Sequence, residues 1–378
     1  MGRQVLFLRC LRVWDIQATM MKDADKIKSL LNRQLLAWYR RNQRSLPWRE
    51  TSDPYRIWIS EIMLQQTQVD TVIPYYHRFL KAFPTVSSLA RAPLQDVLKV
   101  WENLGYYSRA RNIHATAKVI IEKFGGQIPD NWEEIKSLPG IGQYTAGAIL
   151  SIAYGQAHPA VDGNVRRILC RLFAIRKPVD DTQEQKQLQK LAASLIPVKH
   201  PGDFNQALMD LGATICKAKN PDCARCPLAN LCQARLHNLQ NVLPITRKAP
   251  AIPRRQAAAA VIRNSEGMLL VVQRPASGLL ASLWKLPGGF IKSNEDTKNS
   301  LRRNVKEELG IFIRPGKHLA SVNHTYTHFR ITLQAYECRL LKGDPNPLGC
   351  QNWRWASLAD LKKLPLSKID RMVLSMIL

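Results

Sequence analysis

Residues 241–256, NVLPITRKAPAIPRRQ, divide the chain into two parts with different hydrophobic periods. Three prolines and four basic residues without periodicity read as an interdomain linker, placed at 241–255. Before it, IKSLLNRQLLAWYRR, LQDVLKVWENL and RARNIHATAKVIIEKF carry apolar residues at helical spacing, and nothing alternates like a strand. Turn signals at Leu46-Pro47, Asp53-Pro54, Phe83-Pro84 and Gly125-Gly126 separate these helical stretches. After it, QAAAAVIRN and MLLVVQRP flank Ser265-Glu266-Gly267 and predict a hairpin. A helix over TKNSLRRNVKEELG and a long strand over HFRITLQAYECRL follow. The expected fold is an all-α domain over 26–240 and an α/β domain over 256–378.

The charge balance narrows the partner. Lys and Arg number 55 against 29 Asp and Glu, a net +26 that costs self-repulsion unless a polyanion offsets it. Nucleic acid is the expected partner. No apolar run approaches the length of a membrane span, so no membrane partner is expected.

Four of the eight cysteines crowd into one segment: Cys216, Cys223, Cys226 and Cys232, spaced C-x6-C-x2-C-x5-C. Such clustering argues for metal rather than disulfides. Four thiolates can hold a zinc ion or an iron–sulfur cube, and a single short pair favours one 4Fe–4S cluster. Lys217, Lys219 and Arg225 beside these cysteines could face phosphates.

SLPGIGQYTAGAIL predicts a helix ending near Ser137, a turn through Gly140 and Gly142, and a second helix from about Gln143. The glycines allow a tight turn and close approach, and free amides at the second helix's start suit a phosphate. Contacts of this kind hold DNA without reading its sequence.

This helix–hairpin–helix, followed by VDGNVRR and the cysteine spacing, resembles the endonuclease III superfamily of base-excision enzymes. The family's aspartate falls on Asp162. Members that also cut the strand carry a lysine where this chain has Tyr144. The resemblance therefore implies base release with the strand intact. WISEIMLQQTQV resembles the adenine DNA glycosylases of the MutY type and supplies Glu61. Neutral adenine is a poor leaving group, so a general acid is needed, and the oxocarbenium-like sugar left behind wants a carboxylate. Glu61 is assigned as the acid and Asp162 as the sugar-stabilising group, with Tyr144 and Asn164 orienting them.

The adenine must be flipped from the duplex, at a cost of a few kcal/mol in order of magnitude. By the same resemblance Gln66 and Tyr106 fill the gap, Arg44, Leu46 and Arg49 belong to a DNA-facing segment, and Gln206 lies near the adenine pocket.

GFIKSNEDTKNSLRRNVKEELGI resembles the Nudix box through Gly289, Glu295, Arg303, Glu307, Glu308 and Gly310. Asn304 stands where that box has a glutamate, which weakens a divalent-cation site, so no diphosphate hydrolysis is expected. In the MutY family such a domain recognises 8-oxoguanine opposite adenine. The family's Phe-Ser-His loop matches Tyr326, Thr327 and His328, with Thr327 bonding the oxidised base and Tyr326 wedging beside it.

The resemblance implies a monomeric, monofunctional glycosylase acting on double-stranded DNA that contains 8-oxoguanine:A or G:A. It also implies a cytoplasmic, nucleoid-associated location in a bacterium, or a nuclear or mitochondrial one in a eukaryote. Rival readings are a thymine mismatch glycosylase of the same superfamily, a Nudix diphosphatase with a DNA-tethering domain, and a non-catalytic DNA-binding module. Residues 1–25 form an extension of doubtful origin. Its first twenty residues are Arg-containing like a transit peptide, yet an upstream start before Met20 or Met21 accounts for them equally, and no function is assigned to them.

Overall fold

The computed structural model describes residues 24–247 and 251–378. Apart from Ala24 and Asp25, the extension lies outside the described residues, as do positions 248–250 of the linker. By their contacts the residues group into two units that do not follow chain order. One comprises residues up to 57 with 130–136 and 141–247; the other comprises 58–129, 137–140 and 248–378.

The helices up to the linker are α1 (Ala24–Asn42), α2 (Pro54–Leu64), α3 (Val69–Ala82), α4 (Val86–Arg91), α5 (Leu94–Val100) and α6 (Ser108–Phe124). They continue with α7 (Trp132–Ser137), α8 (Gln143–Ile152), α9 (Gly163–Leu172), α10 (Thr182–Leu195), α11 (Pro201–Thr214) and α12 (Gln233–Leu236). Local chemistry sets several of their ends. Asp162 and Asp181 accept amides at the starts of α9 and α10, Thr85 and Ser88 form a capping box at α4, and left-handed Gly125 stops α6.

In the first unit Leu31, Leu35 and Trp38 of α1 pack with Val165 and Ile168 of α9, Leu188 of α10, and Phe204, Leu208 and Leu211 of α11. Asn205, 1% exposed, ties the α8–α9 connection to this core. Its Oδ1 accepts from the Ala160 amide at 3.1 Å, and its Nδ2 donates to Ser151 Oγ and the His158 carbonyl at 2.8 and 2.9 Å.

In the second unit the chain beyond the linker forms two sheets. Strands β1 (Arg254–Ile262), β4 (Gly288–Phe290), β5 (Phe312–Thr325) and β6 (Arg330–Lys342) make one, in the order β4-β1-β6-β5. Strands β2 (Leu269–Gln273), β3 (Trp284–Lys285) and β7 (Asn352–Ala356) make the other, in the order β3-β2-β7. Only β1 and β6 run parallel among these pairs. Every residue of Ala257–Ile262 is buried because both faces of β1 are covered. Helix α13 (Thr297–Leu309) covers one face through Leu301, Val305 and Leu309. On the other, α14 (Leu358–Lys363) contributes Leu361, and α15 (Lys368–Ile377) contributes Ile369, Val373 and Leu374. The domain is α/β, as its patterning predicts.

The predicted hairpin between β1 and β2 needs correction. Its turn exists, with Gly267 N–H donating to the Asn264 carbonyl at 3.0 Å and a bridge between Arg263 and Leu269. Beyond that bridge the strands part into different sheets. Both edges of β1 are already taken, by β4 and β6, so β2 cannot continue the pairing.

Candidate active site and iron–sulfur loop

The hairpin forms at the expected residues. Gly140 has φ +77, and a Cβ there would sit 2.7 Å from Asn112, so both its backbone and its surroundings require glycine. Thr116 Oγ1 donates to the Pro139 carbonyl at 2.6 Å and fixes the turn from α6. Gly142 precedes α8 in an extended conformation without a side-chain cap, and both hairpin glycines are exposed. The exposed start of α8 therefore presents the positive end of the helix dipole, where an anion is favoured.

Asp162 is the N-cap of α9. Its Oδ1 accepts from the Val165 amide at 2.7 Å, and its Oδ2 accepts from Asn164 Nδ2 at 3.0 Å. Two fixed donors hold its rotamer, and the helix start favours the ionised form. Burial outweighs them and raises the carboxyl above its ordinary value of 3.8, against the Val165 and Asn164 hydrogen bonds and the Arg167 charge.

The surroundings of Asn164 contain residues that sequence reasoning missed. Arg167 donates to Asn164 Oδ1 at 2.7 Å, to the Gly212 carbonyl at 2.8 Å and to the Cys216 carbonyl at 2.8 Å. Gly212 lets α11 approach so closely that a Cβ there would meet Asn164 Cβ at 2.5 Å. A continuous hydrogen-bonded path thus runs from the cysteine loop through Arg167 and Asn164 to Asp162. Tyr144, half-buried on α8, donates to Met209 Sδ at 3.8 Å, and Gln206 is half-buried on α11.

The raised Asp162 carboxyl has two consequences. Its folded-state pKa exceeds the unfolded one, so its contribution to stability is present in full below the unfolded value and is lost as pH rises through the folded value. Asp162→Asn keeps an N-cap and removes a poorly solvated charge, so urea unfolding at pH 7 is expected to show equal or greater stability while excision is lost. In the unchanged protein the single-turnover rate is expected to fall on the acid side with a midpoint above 3.8. A midpoint at or below that value would mean either that the Asp162 carboxyl is not raised or that it does not have to be ionised.

In the segment before α2, Arg44 and Arg49 converge on Asp210 of α11. Arg49 bonds both Asp210 oxygens at 2.6 and 2.8 Å, and Arg44 reaches Oδ1 at 2.7 Å. Burial alone would raise the Asp210 carboxyl, but Arg49 and then Arg44 hold it below its ordinary value. Leu46 is 5% exposed among core side chains and the Arg49 side chain 9%, whereas Arg44 keeps 30%. Of these three residues the structure presents Arg44 outward.

In the other unit Glu61 is buried on α2 at 4% exposure. Gln66 and Tyr106 are exposed at the tips of two loops, and both have left-handed backbones, at φ 56 and 47. One buried side chain joins the loops. Arg109 on α6 donates to the carbonyls of Ile62, Met63 and Gln65 at 2.9, 2.8 and 2.6 Å. It also donates to the Leu104 and Gly105 carbonyls and to Thr67 Oγ1, each at 3.2 Å. Desolvation lowers its guanidinium pKa to about 10.

The β5–β6 tip carries Tyr326, Thr327 and His328. Tyr326 is half-buried against the domain core, while Thr327 and His328 are exposed. The Tyr106 phenol and the Thr327 hydroxyl share a hydrogen bond of 2.6 Å. In the Nudix-like motif each remaining carboxylate is engaged by a cation. Arg303 holds Glu295 at 2.7 Å and Glu307 at 3.0 Å, and Lys285, with an 8% exposed side chain, holds Glu308 at 2.5 Å. Asn304 Nδ2 donates to the Ser300 carbonyl at 2.8 Å instead of offering a carboxylate.

The four cysteines line one recess with Arg171, Ile215 and Arg235. Arg171, 2% exposed, has no carboxylate partner among the described residues. It donates to Cys216 Sγ at 3.3 Å and to the carbonyls of Lys217, Ala218 and Leu243 at 2.6, 3.1 and 2.9 Å. A buried guanidinium against thiolates fits a cluster of net negative charge.

Comparison with known proteins agrees. Residues 59–194 match the HhH-GPD superfamily base excision DNA repair protein family, 216–232 the iron-sulfur binding domain of endonuclease III, and 258–376 the NUDIX domain. The human adenine DNA glycosylase is 38% identical over 80% of this chain and 65% of its own length, so the chain spans slightly less than two thirds of it. The adenine DNA glycosylase of Rattus norvegicus is 37% identical over 89% of this chain and 75% of its own. That of Buchnera aphidicola subsp. Baizongia pistaciae (strain Bp) is 39% identical over 76% and 81%. A thermostable thymine-DNA glycosylase of known structure covers 57% of this chain and 99% of its own, with a TM-score of 0.52 and 30% identity. The helical glycosylase fold, the cysteine loop for a 4Fe–4S cluster and the Nudix-like domain occur together, and the chain belongs to the adenine DNA glycosylase family of base excision repair enzymes, hydrolases of N-glycosyl bonds.

Proposed function

We propose that this protein removes adenine mispaired with 8-oxoguanine, and with guanine, from duplex DNA and leaves the strand uncut. The observation that carries the reading is Asp162, a carboxylate fixed by Val165 and Asn164 at the mouth of a helix and backed by Arg167. Glu61 protonates the five-membered ring of the flipped adenine, the N-glycosyl bond breaks and adenine leaves neutral; Asp162 stabilises the oxocarbenium-like sugar until a water adds to its anomeric carbon and loses a proton, leaving an abasic site. Tyr144 stands where a strand-cutting lysine would be, so no Schiff base forms. Cys216, Cys223, Cys226 and Cys232 would hold a 4Fe–4S cluster, which would brace the 216–232 loop.

Selection of the opposite base falls to Tyr326, Thr327 and His328. The Thr327 hydroxyl bonds the oxidised guanine and Tyr326 wedges beside it; the hydrogen bond between Thr327 and Tyr106 supports a common task for those two residues. The hairpin amides after Gly142 hold a phosphate, and Gln66 fills the gap left by the adenine.

The test incubates the protein with duplexes carrying 8-oxoguanine:A, G:A or G:T, with and without alkali. Scission of the adenine strand only after alkali is expected, with 8-oxoguanine:A processed fastest. Release of thymine from G:T would replace this reading with the thymine one. Replacing residues 325–329 by a Gly-Ser loop is expected to erase the preference for 8-oxoguanine:A over G:A, and an unchanged preference overturns the assignment of that loop.

A further inference from the structure

A ladder of rings leads away from the β5–β6 tip. His324 meets Tyr326 edge-on at 4.6 Å, Tyr326 meets Phe329 at 5.0 Å, and Phe329 meets Phe290 of β4 at 5.9 Å. The Arg255 guanidinium lies over both of the last two rings, at 5.3 Å from Phe290 and 5.1 Å from Phe329. Phe290 is 38% exposed and Arg255 is exposed. The two rings restrict the guanidinium at little entropic cost, and the exposed side chain leaves N–H groups for a ligand.

Two more cations stand at the same end of the sheet, on its opposite face, because successive strand residues alternate. Arg254 and Arg330 are directly opposite in the parallel β1–β6 pair, both exposed, and neither meets a carboxylate among the described residues. Like charges facing each other across neighbouring strands destabilise a sheet unless an anion lies between them. Arg330 is in turn opposite Thr325, the last residue of β5 before the tip. The patch is therefore continuous with the loop assigned to the base opposite adenine.

We infer that Arg255, braced by Phe290 and Phe329, and Arg254 with Arg330 on the other face line this end of the sheet as binding residues for DNA phosphates, the backbone flanking the base read by residues 326–328. The placement on that strand rests on the proposed role of the loop; the phosphate chemistry does not. Arginine forks match phosphate oxygens in pairs, and their contribution is independent of sequence.

The test measures duplex affinity against salt concentration for the full-length protein carrying its cluster. Each phosphate neutralised contributes about 0.9 to the slope of log K against log salt. The Arg254→Ala, Arg255→Ala, Arg330→Ala triple variant is expected to reduce that slope by roughly two to three, on 8-oxoguanine:A and undamaged duplexes alike. Phe290→Ala is expected to weaken binding several-fold by freeing Arg255. All of these side chains but Phe329 are exposed, so the variants should fold, and unchanged circular dichroism checks it. A triple variant whose slope stays within half a unit of the parent's overturns the proposal and leaves the patch for an acidic protein partner. The loop swap separates the two readings. A reduced slope beside an unchanged mismatch preference upholds the phosphate site and removes the loop, while the reverse pair of results does the opposite.

Discussion

Glu61→Gln is expected to slow adenine release by roughly 10²–10⁴-fold, the range general acid catalysis contributes, with duplex affinity changed no more than a few-fold. Glutamine has the size and hydrogen-bonding reach of glutamate, so a side chain 4% exposed can be replaced without opening a cavity. What it loses is the proton that it could transfer. The leaving adenine would then depart as an anion, and each tenfold loss in rate is about 1.4 kcal/mol of transition-state stabilisation. Single-turnover excision from 8-oxoguanine:A with enzyme in excess measures the chemical step apart from product release. Release within a few-fold of the parent would remove Glu61 from the acid role. Release that falls together with affinity would make Glu61 a binding residue.

The elements that could be read from the sequence are those whose signal is local. The Pro-Gly-x-Gly turn, Asp162 ahead of an apolar helix and Ala257–Ile262 as a fully buried strand each show in a few residues. Strand β5 does not. Pro315 and Gly316 interrupt its alternation, and register shifts around His318 mean that its side chains do not keep a period of two. The site divides in the same way. The cysteine loop and the carboxylates are recognisable by residue type and spacing, but the residues that hold them are not. Arg167 and Arg171, one turn apart on α9, read as ordinary helix charges until α11 and the cysteine loop close over them. Asp210 in FNQALMDLGA gave a signal of sorts, a lone acid in an apolar helix. Its partners are more than 160 residues away in RSLPWR, where the same arginines suggested DNA.

Arg109→Ala is expected to cost the fold about 3–5 kcal/mol, because the buried carbonyls it satisfies lose their donor at about 1–3 kcal/mol each and water can reach only some of them. That is a large share of the roughly 5–15 kcal/mol that holds a domain together. Its loss also reaches function, because the five carbonyls and Thr67 belong to the two loops that present Gln66 and Tyr106. Left-handed backbone at two non-glycine residues costs about 1–3 kcal/mol each and persists only where surrounding contacts enforce it. Arg109→Lys separates stability from positioning. It keeps the charge and the length of the side chain, but a single ammonium cannot serve both loops as a fork does. Its urea-unfolding free energy is expected to lie between those of the parent and the alanine variant. Flipping, followed by 2-aminopurine fluorescence in place of the target adenine, is expected to fall nearly as far in Arg109→Lys as in Arg109→Ala. A lysine variant that flips the base like the parent would show that the loops hold their own shape, and Arg109 would then be a stabilising residue alone.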